Sequence, residues 1–88
     1  MPRFLVTRTV PPSLKEEELA AAERLNKNTA EQVGIRWIKS YYSGKDGKFY
    51  CEYEAPNIEA IYEHARRAQA PIDFVSLISD EFDPSMFK

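Results

Sequence analysis

Hydrophobic and polar positions alternate with two different periods along this chain, and the changes of period mark its elements. Arg3 to Val10 is rich in β-branched and aromatic residues, which predicts a strand. Pro11-Pro12 ends it, because proline has no amide hydrogen for a ladder. From there the period lengthens. Leu19, Ala22, Asn26, Thr29 and Val33 recur at steps of three and four, with Leu25 and Ala30 beside them. That is one face of a helix. Glu16, Glu23, Lys27 and Glu31 fall on the other side and are expected to face water. Ser13 and Glu16 have capping-box spacing, so the helix is expected to open at Ser13, and Gly34 suits its end.

Ile35 to Ser43 and Lys48 to Glu54 read as two further strands. Gly44-Lys45-Asp46-Gly47 between them makes a turn, since glycine reaches the positive φ of tight turns without cost. Asn57 caps a second helix, with Glu59 in its first turn. Ile58, Ile61, Ala65 and Ala68 mark its buried face. Pro71 stops it, and Ile72 to Ile78 form the last strand, followed by a short tail. The order β-α-β-β-α-β is the split βαβ arrangement. The expected fold is therefore α+β and ferredoxin-like: one domain over residues 1–88, with two helices on one face of a four-stranded antiparallel sheet.

That architecture leaves the other sheet face bare, and a strand with one wet face should alternate apolar and polar residues. The hairpin does not. Trp37 and Tyr41 share one parity of its first strand, and Ile38 and Tyr42 the other. In its second strand Phe49, Cys51 and Tyr53 oppose Tyr50. Large side chains thus lie on both faces, and soluble monomers rarely expose such a patch. The expectation is a homodimer, two sheets face to face in a dimeric α+β barrel. Burying a few aromatics at about 25 cal/mol per Å² contributes several kcal/mol, comparable to the stability of a small domain.

Composition narrows the partners. The chain has 88 residues, a net charge of −2 and a single cysteine. A slightly acidic balance argues against a nucleic-acid partner. The β-α-β-β-α-β order is shared with RNA-recognition domains, but Lys48 stands where a stacking aromatic is wanted. No apolar run approaches the roughly 20 residues of a membrane span. The first residues, Met1-Pro2-Arg3-Phe4, lack the pattern of a signal peptide, so the cytoplasm is expected.

Few residues can carry chemistry. His64 is the only histidine and is expected beside the apolar stripe of the second helix, half-buried and bonded to a carboxylate or carbonyl; the alternative is a place at the edge of a cavity, as the one candidate catalytic base or ligand. Trp37, Tyr41 and Tyr53, with Cys51 and His64, could line a ligand pocket. Arg8, Arg36 and Lys39 are expected at the solvated surface, with positive charge brought to that pocket for an acidic ligand as the alternative. Asn26 on the apolar stripe needs a partner. His64 and Cys51 are the soft metal donors, fewer than the three or four that metal sites use. Cofactors are not indicated by any glycine-rich loop or Cys-x-x-Cys pair.

One resemblance extends over nearly the whole chain. It is carried by Trp37, Ser40-Tyr41, Lys48, Tyr50-Cys51, Tyr53-Glu54-Ala55-Pro56, Glu59-Ala60-Ile61 and Glu63-His64-Ala65. Phe4 to Arg8, Pro71-Ile72-Asp73 and Asp83-Pro84 add to it. These resemble a bacterial family of small ferredoxin-like proteins of unknown function, related to a nickel-binding protein. The resemblance implies a dimer and raises nickel as a cofactor. In the nickel-binding pattern a histidine pair stands near the end of the first strand; here that stretch reads Thr7-Arg8-Thr9, leaving His64 and Cys51, with Glu52 and Glu54 as hard donors. Three functions follow in order: a small-molecule-binding or enzymatic α+β barrel with an aromatic-lined pocket, a nickel-binding protein, and a structural or regulatory dimer.

Overall fold

A computed structural model describes residues 1–87. The elements are β1 (Arg3–Thr9), α1 (Glu16–Val33), β2 (Arg36–Ser43), β3 (Lys48–Glu54), α2 (Ile58–Ala68) and β4 (Phe74–Ile78), followed by a short 3-10 turn over Pro84–Met86. The strands form one sheet in the order β2-β3-β1-β4, with every neighbouring pair antiparallel. This is the expected ferredoxin-like α+β fold. Among the described residues no helix is long and apolar enough to cross a membrane.

Alternation sorts β1 and β3 without ambiguity. Phe4, Val6 and Arg8 of β1, and Phe49, Cys51 and Tyr53 of β3, are buried beneath the helices. Leu5, Thr7 and Tyr50 lie on the other face, since Leu5 pairs with Glu52 and Thr7 with Tyr50. Ala30, Ile35, Ala55 and Ile61 complete the core between helices and sheet.

Several local expectations are corrected. First, α1 begins at Glu16, not beside Ser13. Ser13 has a φ of 55°, its amide donates to Gly44 O at 3.0 Å, and the Leu14 amide donates to the Tyr42 hydroxyl at 2.9 Å. The loop is tied to the hairpin there and cannot yet coil. The Lys15 amide instead donates to the Glu18 carboxylate at 3.0 Å. Gly47 closes the same corner: a Cβ on it would stand 2.6 Å from Val10 O, and its φ is 65°, so only glycine fits.

Second, β2 carries a bulge. Trp37 pairs with Tyr53, but Lys39 pairs with Glu52, so Ile38 is an extra residue. A bulge of one residue exchanges the faces of everything beyond it. Trp37 therefore lies on the helix side, with Ser40 opposite Cys51 and Tyr42 opposite Phe49, while Tyr41 faces the open side opposite Tyr50. Trp37 and Tyr41, expected to share a face, do not.

Third, the buried stripe of α1 is rotated. Asn26, Thr29 and Ala30 are buried and Leu19, Glu23 and Val33 half-buried, whereas Ala22 and Leu25 are exposed. Glu23, expected in water, thus faces inward. On α2, His64 is 1% exposed and belongs to the centre of the buried face rather than its edge, while Ile58 is largely exposed. The last strand starts at Phe74 instead of Ile72.

Candidate functional site

The apolar frame described above encloses a polar cluster. β1 contributes Arg8, β3 contributes Tyr53 and Cys51, α1 contributes Glu23 and Asn26, and α2 contributes His64. Each is placed by the period of its own element. Arg8 follows Phe4 and Val6 at steps of two. Glu23 and Asn26 follow Leu19 at helical steps.

The hydrogen bonds form a short chain. The Arg8 guanidinium donates from Nη1 to the Tyr53 hydroxyl at 3.2 Å and from Nε to Ala70 O at 3.2 Å. The Tyr53 hydroxyl donates in turn to Asn26 Oδ1 at 2.7 Å. His64 Nε2 lies 3.1 Å from the Asn26 backbone oxygen. A carbonyl can only accept, so Nε2 carries the proton and the neutral ring presents a bare lone pair at Nδ1. Nearby, Trp37 Nε1 donates to Ser40 Oγ at 2.9 Å, and Ser40 Oγ donates to Cys51 Sγ at 3.0 Å.

Beside this chain lies a cavity of about 190 Å³, lined among others by Arg8, Glu23, Asn26, Phe49, Cys51 and His64. Among the described residues, Arg8 Nη2, Glu23 Oε2, Asn26 Nδ2 and His64 Nδ1 are buried without a hydrogen-bond partner. All four belong to residues of this one cavity. Buried polar atoms without partners each cost roughly 1–3 kcal/mol, so four together are a large expense unless something meets them.

Burial also sets the protonation states. It pushes the Glu23 carboxyl up, and the polar side chains of Asn26 and Ser40 beside it and the charge on Arg8 only partly pull it back. Burial holds His64 below its ordinary value, reinforced by Arg8 and opposed by the bond to Asn26 O. The Tyr53 phenol is raised, again chiefly by burial. The imidazole is therefore a neutral base, and the carboxyl is a weaker acid than usual.

Of the residues expected to line a pocket, Tyr53, Cys51 and His64 come together here. Trp37 stands on the same sheet face and reaches the cluster through Ser40. Tyr41 is on the opposite face, 54% exposed, and does not join them. Arg8 is 6% exposed, correcting its expected place at the surface. Arg36 is exposed and pairs with Glu54 at 3.2 Å, and Lys39 is exposed as well. The residue that sequence reasoning missed is Glu23. Its only signal was its place in the series Leu19, Glu23, Asn26, Ala30 and Val33, an unbroken three-four repeat.

The comparisons agree with this architecture. A family model described as "Nickel responsive protein SCO4226-like" matches residues 4–78. Among solved structures, SCO4226 from Streptomyces coelicolor A3(2) superposes with a TM-score of 0.83 at 16% identity, over 91% of this chain and 99% of that one. That likeness shows a shared fold. No curated protein matches the sequence.

The family description raises nickel, and the donors present can be tested against it. Among the described residues no three His, Cys, Asp or Glu side chains gather so as to hold a metal ion. His64 has only Nδ1 to offer, since its Nε2 is held by the Asn26 carbonyl, and Cys51 accepts from Ser40, so a single imidazole nitrogen has no second and third donor gathered around it. Glu52 and Glu54 lie on the open face within 4.0 Å of Arg3. The residues of one chain do not fit a nickel ion, which takes imidazole, thiolate or carboxylate ligands converging in a fixed geometry.

Proposed function

This chain belongs to the SCO4226-like family, and on that premise we propose that it binds a small polar molecule in the cavity between its helices and sheet. One observation carries the proposal: four buried polar atoms without partners belong to residues lining a single cavity. Structural polar groups buried in a core are normally satisfied by one another. A set that is satisfied on one side and bare on the other is arranged for a guest. The cavity is smaller than the roughly 300 Å³ at which drug-sized pockets begin, so the guest is small.

The test is a titration, followed by protein-observed NMR, with a panel of short neutral and anionic polar molecules. Binding should move the signals of Ala22, Ala68 and Ala70, which line the cavity. Ala22→Phe, at an exposed lining position, should abolish those shifts. If no compound in the panel moves them, the cavity is not a binding site.

The open sheet face supports a second reading, a homodimer joined through that face as a dimeric α+β barrel. Leu5, Tyr41, Tyr50, Phe74 and Ile78 all lie on it by strand register, and neither helix covers them. Phe74 is 70% exposed in a single chain. Sedimentation of the wild type should give twice the subunit mass, and Tyr41→Asp should give a single subunit. A folded wild-type monomer at all concentrations would refute it.

A further inference from the structure

The directions of the hydrogen bonds identify the kind of molecule the cavity would hold. Tyr53 occupies Asn26 Oδ1, so the free end of that amide is its Nδ2 donor. Arg8 has spent Nη1 and Nε, leaving the Nη2 donor. Both residues meet at the Tyr53 hydroxyl, so the two free donors belong to neighbouring side chains, and the Glu23 carboxyl lies close enough to both to be acted on by them. The other two free atoms accept: the bare lone pair of His64 Nδ1 and Glu23 Oε2. Glu23 is one helical turn before Asn26.

Arg8, Asn26 and His64 are each at least nine-tenths buried. Among the described residues the Arg8 guanidinium makes no ion pair within 4.0 Å, unlike Arg3, Arg36, Arg66 and Arg67; the Glu23 carboxyl feels its charge without pairing with it. A buried cation without an anion is costly, and a carboxylate matches a guanidinium better than any neutral acceptor does. The rest of the lining, Val10, Leu25 and Phe49 among it, is apolar. A volume of about 190 Å³ corresponds to roughly six waters at about 30 Å³ each, which admits a short chain.

The geometry points to a short carboxylic acid that also carries a hydroxyl or amino donor. Its carboxylate lies on Arg8 and Asn26, and its donor on His64 and Glu23. This rests on the cavity being a binding site, as proposed above, and adds the chemistry of the guest.

Calorimetric titration of the wild-type protein with lactate, alanine, acetate and lactamide tests it. Lactate or alanine should bind at least about tenfold more tightly than lactamide, which keeps the hydroxyl and lacks the charge, because charge-assisted bonds are the stronger ones. It should also exceed acetate, which has no donor. The lactate and alanine arms separate a hydroxyl guest from an amino guest. Asn26→Asp, which turns the free donor into a carboxyl while keeping an acceptor for Tyr53, should weaken the favoured acid by at least about tenfold. Arg8→Lys, checked for folding by circular dichroism, should do the same. Lactamide binding as tightly as lactate overturns the carboxylate assignment while leaving the cavity a binding site. If none of the four binds while other neutral molecules shift the cavity signals, the inference falls and the binding proposal stands.

Discussion

The two faces of the sheet are built from the same strands by strict alternation, yet they handle polarity in opposite ways. The covered face hides Arg8, Asn26 and His64 inside an apolar frame and leaves some of their atoms unpaired. The open face keeps its charges in water and paired. Arg3 sits among Glu52, Glu54 and Glu81, and Lys48 reaches Asp73 at 3.3 Å. It exposes aromatics beside them. The contrast separates two ways of being incomplete. An apolar surface in water wants bulk cover, which a second sheet can supply. An unpaired polar interior wants particular atoms, which a small molecule can supply.

Phenylalanine stands on both faces and gives the largest test of the contrast. Phe4→Ala, at a position 5% exposed, should cost about 3–5 kcal/mol, a large share of the stability of a domain of this size. Phe74→Ala should change the stability of dilute protein by less than about 0.5 kcal/mol. On the proposed homodimer, it should destabilise concentrated protein more than dilute protein. Urea unfolding at two protein concentrations measures both. Equal costs for the two substitutions in dilute protein would erase the distinction between the faces.

Tyr53→Phe sharpens the polar side alone. It keeps the ring and removes the hydroxyl shared by Arg8 and Asn26. The expected loss is about 1–3 kcal/mol, read from urea unfolding.

Glu23→Gln should have a smaller effect of opposite sign. The Glu23 carboxyl is held above its ordinary value of 4.5, so the native chain keeps a proton that the unfolded chain releases. Its contribution is present below that value and fades as pH rises through the folded value. The amide is free of this cost, so the variant should be more stable at neutral pH and lose that advantage in acid. His64 works the other way. Its folded value lies below 6.5, so the stability it confers is present above 6.5 and is lost as pH falls through the folded value. Thermal melts across this range, with and without the substitution, separate the two groups. The Lys27–Glu31 pair, 3.0 Å apart on the exposed side of α1, should contribute only about 0.3–0.5 kcal/mol, measured by Lys27→Ala melts in low and high salt.

The element order was legible because each strand and helix has its own period, and glycine or proline separates them. The site was legible only in part. His64, Cys51 and Tyr53 stood out by residue type, but Trp37 and Tyr41 were assigned to one face because a bulge leaves no mark on a two-residue alternation. Only the register shift at Ile38 reveals it. Glu23 was hidden for a different reason. Carboxylates are usually exposed, so a glutamate in a helical stripe reads as its outer edge. The charge that it faces inside, on Arg8, comes from a distant part of the chain. The sequence misplaces the start of α1 because the Ser13 amide is held by Gly44 O and the Leu14 amide by the Tyr42 hydroxyl, contacts that local spacing does not encode.

His64 reports on the central claim without interference, because the chain has no other histidine. The nitrogen NMR spectrum of the labelled imidazole gives its tautomer and follows Nδ1 directly. The expected result in the unliganded protein is a neutral ring protonated at Nε2, with Nδ1 moving as a short hydroxy or amino acid is added. A ring protonated at Nδ1, or one indifferent to every small polar molecule tried, would contradict the assignment of this cavity as a binding site.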